Sequence, residues 1–206
     1  MPEVAVIIKQ IIKLLLYSQR DLITKKYKLT YYKLYSLGTR FLSKATLFKY
    51  GLNWSPMYRK STAKIIDVSP DLLHVKMKLP ISWRNKNYMN SIFGGSIYAS
   101  VDPIPMFQLI NLIGDHYVVW DKAANIKFKK PAKENLYAEF LYSENELEQI
   151  EELVKRDNEI EIVKMVQMTN KSGAKVYCEI EKTIYVANKE FYKRKRKNQD
   201  RTSIEP

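Results

Sequence analysis

The stretch from Phe93 to Ile113 carries a single charge, Asp102, and begins on two adjacent glycines, Gly94 and Gly95. A carboxylate can act as a base or a nucleophile. Glycines that open a helix lie where backbone N–H groups are free and the helix dipole is positive, and they let another group approach closely. Asn87, just upstream, adds an amide. Each residue also has a structural reading. The glycine pair allows tight helix–sheet packing, Asp102 can cap a helix around Pro103, and Asn87 suits a turn. Asp121 and Lys122 follow Trp120 on a strand and face opposite sides, so they read as structural rather than as an ion pair. His116, beside Asp115, reads as a loop residue. No P-loop, dinucleotide fingerprint or Ser-His-Asp spacing is present.

Composition narrows the classes. The chain has 206 residues, 46% of them hydrophobic, enough for one domain and an extension. The single Cys178 forms no intramolecular disulfide, and no Cys/His cluster suggests zinc. This is consistent with a reducing, cytoplasmic setting. Net charge is +13. Residues 1–50 hold ten Lys/Arg against two acids, a net +8, and residues 189–206 hold seven against three, a net +4. Residues 51–188 hold eighteen against seventeen, a net +1. An excess confined to the ends argues against specific nucleic-acid binding by the folded body. It allows weak contact with an anionic membrane or attraction of a polyanionic substrate.

The elements that must position Asp102 show in the hydrophobic period. Ile7, Ile8, Ile11, Ile12, Leu15 and Leu16 recur at helix spacing, and a second helical stretch spans about 29–48. These helices pack on the body or form a basic membrane-surface anchor. The run Val4 to Tyr17 is too short to span a bilayer and has no cleavage site after it. From about 61 the period changes to two. Leu73, Val75, Met77 and Leu79 alternate with polar residues, as do Ile126 and Phe128, then Leu136, Ala138 and Phe140. Ser143 to Glu146 is a capping box opening another helix. Two long strands follow, the last alternating Val176, Cys178 and Ile180 with Tyr177, Glu179 and Glu181. Two strands, a buried helix, then four strands with one further helix imply an antiparallel sheet wrapped around Phe93–Ile113.

The segment from Asn87 to Asp102 resembles the hotdog-fold thioesterase superfamily, in particular the phenylacetyl-CoA type. That family has an Asn, a His-Gly-Gly six residues later, and an Asp nine beyond the His. Asn87, Phe93-Gly94-Gly95 and Asp102 hold those spacings. Phe93-Gly94-Gly95-Ser96, Asp102-Pro103 and Val119 to Ala124 are similar to a hotdog branch known mainly as a domain of unknown function. The resemblance covers about 55–188. It implies an α+β hotdog domain there, preceded by a basic helical extension (1–54) and followed by a basic, mobile tail (189–206).

By that resemblance, Asp102 is the base or nucleophile of thioester hydrolysis, and Asn87 orients water or the carbonyl. Gly94 offers backbone N–H to the oxyanion, and Phe93, Gly95 and Ser96 line the substrate. The implied substrate is an acyl-CoA or an acyl-carrier protein, with no cofactor. Gly94 and Asp102 stand about 12 Å apart along a helix, so a site using both is expected across a homodimer or a dimer of dimers. Phe93 replaces the family's His, and Pro103 is expected to kink or end the helix near Asp102. Those departures keep open a binding protein that holds an acyl thioester or lipid without turnover. Asp102 itself is expected to add little stability beside an apolar helix.

Overall fold

The computed structural model describes residues 42–202, with side chains through 199. The helix expected from Ile7 to Leu16, its anchor role, and most of the stretch expected over 29–48 lie outside the described residues.

Helix α1 (Lys44–Trp54) starts on Ser43, whose Oγ accepts from Thr46 N, and leads to the short α2 (Pro56–Lys60). Phe48 and Leu52 of α1 are buried in the main core, inside the segment expected as an extension. Strands β1 (Lys64–Val68) and β2 (His74–Leu79) follow. Next come α3 (Gly94–Val101) and α4 (Pro103–Ile113), β3 (Tyr117–Phe128) and β4 (Leu136–Leu141). Helix α5 (Glu144–Asp157) is capped by Ser143 Oγ accepting from Glu146 N, and Ile150 and Val154 are its buried residues. Strands β5 (Glu159–Thr169) and β6 (Val176–Asn188) complete the sheet.

The six strands form one curved antiparallel sheet, ordered β1-β2-β4-β5-β6-β3. This is a hotdog fold: the sheet wraps α3 and α4 and leaves β3 as a free edge. Alternation does the sorting. Val75, Met77 and Leu79 from β2, Leu136, Ala138 and Phe140 from β4, and Cys178 and Ile180 from β6 share a buried cluster with Ile97, Val101 and Ile104 of the helix. Ile104 and Leu109 are fully buried, and truncating either to Ala is expected to cost about 2–5 kcal/mol.

Pro103, expected to kink or end the helix near Asp102, divides it there into α3 and α4. Asp102 keeps right-handed helical angles (φ −43°, ψ −54°), and its N–H donates to Tyr98 O at 2.9 Å. Pro103 then starts α4 in the first-turn position, where its missing N–H matters least. Two buried tyrosines hold the divided helix, one on each of its halves. Tyr58 Oη donates to Ser100 O and Tyr142 Oη donates to Pro105 O, both at 3.1 Å. Burial pushes both phenols far above their ordinary pKa, so they remain donors.

The segment expected as a mobile tail is helical from Lys189 to Thr202 (α6). Asn188 Oδ1 accepts from the N–H groups of Glu190 and Phe191 and so caps it. Tyr192 packs its ring 6.3 Å from Trp120 and 6.2 Å from Tyr185, and Lys195 pairs with Glu159 at 2.7 Å. Among the described residues, no helix is long and apolar enough to cross a membrane.

Candidate functional site at the divided helix

Strand β6 points Cys178, Ile180, Lys182, Ile184 and Val186 toward the helix, and all five are fully buried. Lys182 is the exception in chemistry. Its Nζ lies 2.6 Å from Asp102 Oδ1 and 3.0 Å from Asp121 Oδ2. The Tyr98 ring stands 5.4 Å away on the same ammonium. A buried ammonium needs such partners, because an unpaired one is very costly. Burial works against the charge on Lys182, but its hydrogen bonds and charge contacts with both aspartates outweigh this and raise its pKa.

Asp121 reaches the cluster through an irregularity in β3. Register shifts between Asp121, opposite Ile184, and Ala123, opposite Thr183. At this bulge Lys122 turns outward to pair with Glu161, while Asp121 turns to Lys182. Adjacent residues do face opposite sides, but Asp121 belongs to the charged cluster. Its Oδ1 is buried without a hydrogen-bond partner. Burial pushes its carboxyl above the usual range, and the nearby Asp102 adds to this while Lys182 opposes it. Asp102 differs: its side chain is 41% exposed. Two carboxylates on one ammonium leave the cluster one negative charge when all three are ionised.

Nine residues before Asp102, Phe93 caps α3 with its carbonyl, which accepts from Ser96 N (3.0 Å) and Ile97 N (3.2 Å). The glycines fit aromatic rings. A Cβ on Gly94 would lie 2.9 Å from Phe128 Cζ, and one on Gly95 would lie 2.3 Å from Phe93 Cε1. Phe93 and Phe128 are both more than half exposed, so the helix N-terminus sits under two movable rings. Ser96 is half-buried in the first turn. A groove of about 340 Å³ beside it is lined by Gly94, Ile97, Phe128 and Lys129.

Asn87 sits away from Asp102, in the loop before α3. Its Oδ1 accepts from Met89 N (3.0 Å), Ser91 N (3.2 Å) and Ser91 Oγ (3.2 Å). That is a turn-forming asparagine. Asn85, which sequence reasoning missed, anchors the loop: it donates to Thr62 Oγ1 (2.7 Å) and Pro80 O (2.8 Å). Its carbonyl also takes Phe93 N at 2.8 Å, placing Phe93 and Gly94. Within one chain, Gly94 and Asp102 remain separated by two turns of helix. Lys182 was also missed, although the alternation Cys178, Ile180 predicts its inward position.

Residues 42–186 match the family described as Domain of unknown function (DUF4442). The chain belongs to this family. Among solved structures it is similar to a protein of unknown function from Pseudomonas aeruginosa described as a probable thioesterase (18% identity, TM-score 0.59, covering 70% of this chain and 93% of that one). It is also similar to a protein of unknown function from Chlorobaculum tepidum (15%, TM-score 0.58, 70% and 94%). A thioesterase from Haemophilus influenzae matches at 13% identity with TM-score 0.50, covering 67% and 87%. These likenesses carry the hotdog fold. No curated protein matches the chain.

Proposed function

We propose that the chain hydrolyses acyl thioesters, acyl-CoA or acyl-carrier protein, at a site completed by a second copy. The observation that carries this is the half-exposed Asp102, held at a break in the buried helix by the fully buried Lys182. Lys182 places a positive charge 2.6 Å from that carboxylate and holds it in position. Asp102 takes a proton from water as the water oxygen attacks the thioester carbonyl; the C–S bond then breaks and the thiolate leaves. The alternative, direct attack by Asp102, forms an anhydride that water cleaves. The oxyanion needs N–H donors, and those nearest the start of α3 belong to Gly94 and Gly95. They stand too far along the helix to serve the same carbonyl as Asp102 of their own chain. The free edge of β3 offers a surface on which a two-fold partner can bring its own α3 to Asp102. Asn87 then acts by shaping the loop that presents Phe93 and Gly94.

The test is thiol release from acyl-CoAs of graded length, with Asp102→Asn alongside. Release by the wild type and loss of at least a hundredfold in the variant support the reading. A variant as fast as wild type removes Asp102 from the chemistry.

A second reading, a binding protein without turnover, is favoured by the Phe93 ring lying against Gly95 where a carbonyl would have to enter. Saturable binding of an acyl-CoA with no thiol release at any chain length would select it.

A further inference from the structure

Strands β4 and β5 are neighbours that barely pair: Tyr137 opposite Thr169 is their one registered pair. β2 and β4 pair along six residues, and β5 and β6 along eleven. At the opening between β4 and β5 a side chain takes over a carbonyl that β5 leaves: Leu141 O, which faces β5, accepts from Lys164 Nζ at 2.7 Å. The resulting crevice, about 380 Å³, lies between Phe140, Val163 and Val166 and reaches Pro105 and Gln108 of α4. That volume falls within the usual small-ligand range. It adjoins a wider opening of about 800 Å³, with which it shares Glu139 and Met165.

Gln108 gives the crevice a chemical preference. It is fully buried, and its Nε2 is committed to Leu72 O at 2.7 Å and Phe140 O at 3.4 Å. Two acceptors on that end fix the amide orientation, so the other end is a carbonyl oxygen. This Oε1 is buried with no hydrogen-bond partner. An unpaired buried acceptor among apolar walls is satisfied by a ligand that brings a donor.

Position supplies the rest. Pro105 and Gln108 follow Asp102 by three and six residues on the helix, about 4.5 and 9 Å along its axis. Lys164, in the crevice lining, pairs across the sheet with Lys182. We infer that the β4–β5 crevice is the acyl-chain subsite, and that Gln108 Oε1 accepts a hydrogen bond from a hydroxyl placed well along that chain. The inference rests on the proposed reaction centre at Asp102. It names the substrate class as mid-chain hydroxyacyl thioesters, because a hydroxyl at carbon 3 stays too near the carbonyl to reach Gln108.

The test uses uncharged probes that need no turnover: methyl decanoate and its 3-hydroxy and 8-hydroxy derivatives, titrated calorimetrically into the full chain. The 8-hydroxy ester should bind about tenfold tighter than the other two, and Gln108→Leu should erase that difference. Gln108→Leu also strips a donor from Leu72 O and Phe140 O. Val163→Trp, at an exposed position on the crevice wall, therefore serves as the second variant and should weaken all three probes at least tenfold. Equal affinity for the three esters, no binding by any of them, or unchanged binding by Val163→Trp overturns the inference. Gln108-dependent preference without thiol release from any acyl-CoA upholds the subsite and sinks the hydrolase reading instead. Thiol release with no hydroxyl preference does the reverse.

Discussion

Lys182 Nζ lies 2.6 Å from Asp102 Oδ1, joining the middle of β6 to the residue at which the buried helix is divided. The contact spans eighty residues of sequence and alters what each partner does. Without it, Asp102 would be a carboxylate beside an apolar helix, expected to add little to stability. With it, Asp102 is one of two anions that make the burial of Lys182 tolerable.

Asp102→Ala is therefore expected to destabilise the chain as well as remove turnover. Breaking a fully buried pair costs about 3–5 kcal/mol. Asp102 is 41% exposed and Asp121 still holds Lys182, so solvent screening reduces this to about 1–2 kcal/mol. Urea denaturation of Asp102→Ala against wild type measures it. Asp102→Asn keeps the shape and should lose activity with the smaller stability cost.

Lys182→Met leaves two carboxylates facing each other without a counter-charge, beside a buried Asp121 oxygen that already lacks a partner. The expected loss at neutral pH is about 3 kcal/mol or more. It should shrink as pH falls and the Asp121 carboxyl, raised by burial, takes up its proton. A loss independent of pH would mean that Lys182 acts through packing alone.

The pH profile of Asp121→Asn isolates one group. Burial raises the pKa of the Asp121 carboxyl above the ordinary carboxylate value. The folded state therefore binds this proton more tightly than the unfolded chain. Its contribution is favourable at low pH and falls as pH rises from about the unfolded value through the raised folded one. Glu139 and Glu159 shift the other way; their contributions are present at neutral pH and lost on acidification. Subtracting the Asp121→Asn stability curve from that of wild type should leave a difference that declines with rising pH in the mildly acidic range. A flat difference would contradict the raised carboxyl.

Much of this architecture is legible in the sequence, and the limits are physical. The change from helical spacing to alternation near residue 61, the capping box at Ser143 and the apolar run after Gly94 give the strand and helix order of the sheet. The inward position of Lys182 is also readable, since Val176, Cys178 and Ile180 set the phase six, four and two residues before it. Its partners are not, because they depend on the register of β3 against β6 and on a bulge at Lys122 that turns Asp121 inward. The crevice is hidden for the same reason: a missing ladder between β4 and β5 leaves each strand's own alternation intact. The roles of the two asparagines turn on local bonds. Asn87 closes its own loop, and Asn85 carries Phe93. Helix α6 is hard to see in the sequence because an excess of lysine and arginine surrounds its packing residue, Tyr192.

Gly95→Ala probes the mouth of the site. Its Cβ would meet the Phe93 ring at 2.3 Å, and that ring is 58% exposed and free to swing. Stability should change by less than about 1 kcal/mol, while thiol release changes severalfold because the ring moves over the N-terminal N–H groups. Adding Phe93→Ala should cancel the effect of Gly95→Ala on rate. Two variants that instead multiply independently would show that the ring and the glycine do not share a site.

The central claim is that Asp102 of one chain works with the α3 N-terminus of another. Co-refolding Asp102→Ala with Asn87→Ala, in which the loop presenting Gly94 is loosened, tests it most directly. Random pairing makes half the dimers mixed, and each mixed dimer regains one of its two sites. The mixture should recover about a quarter of wild-type thiol release if the sites are independent and two-fold related. A mixture as inactive as the separate variants, while wild type turns over the same acyl-CoA, would place the whole site within one chain and contradict the account.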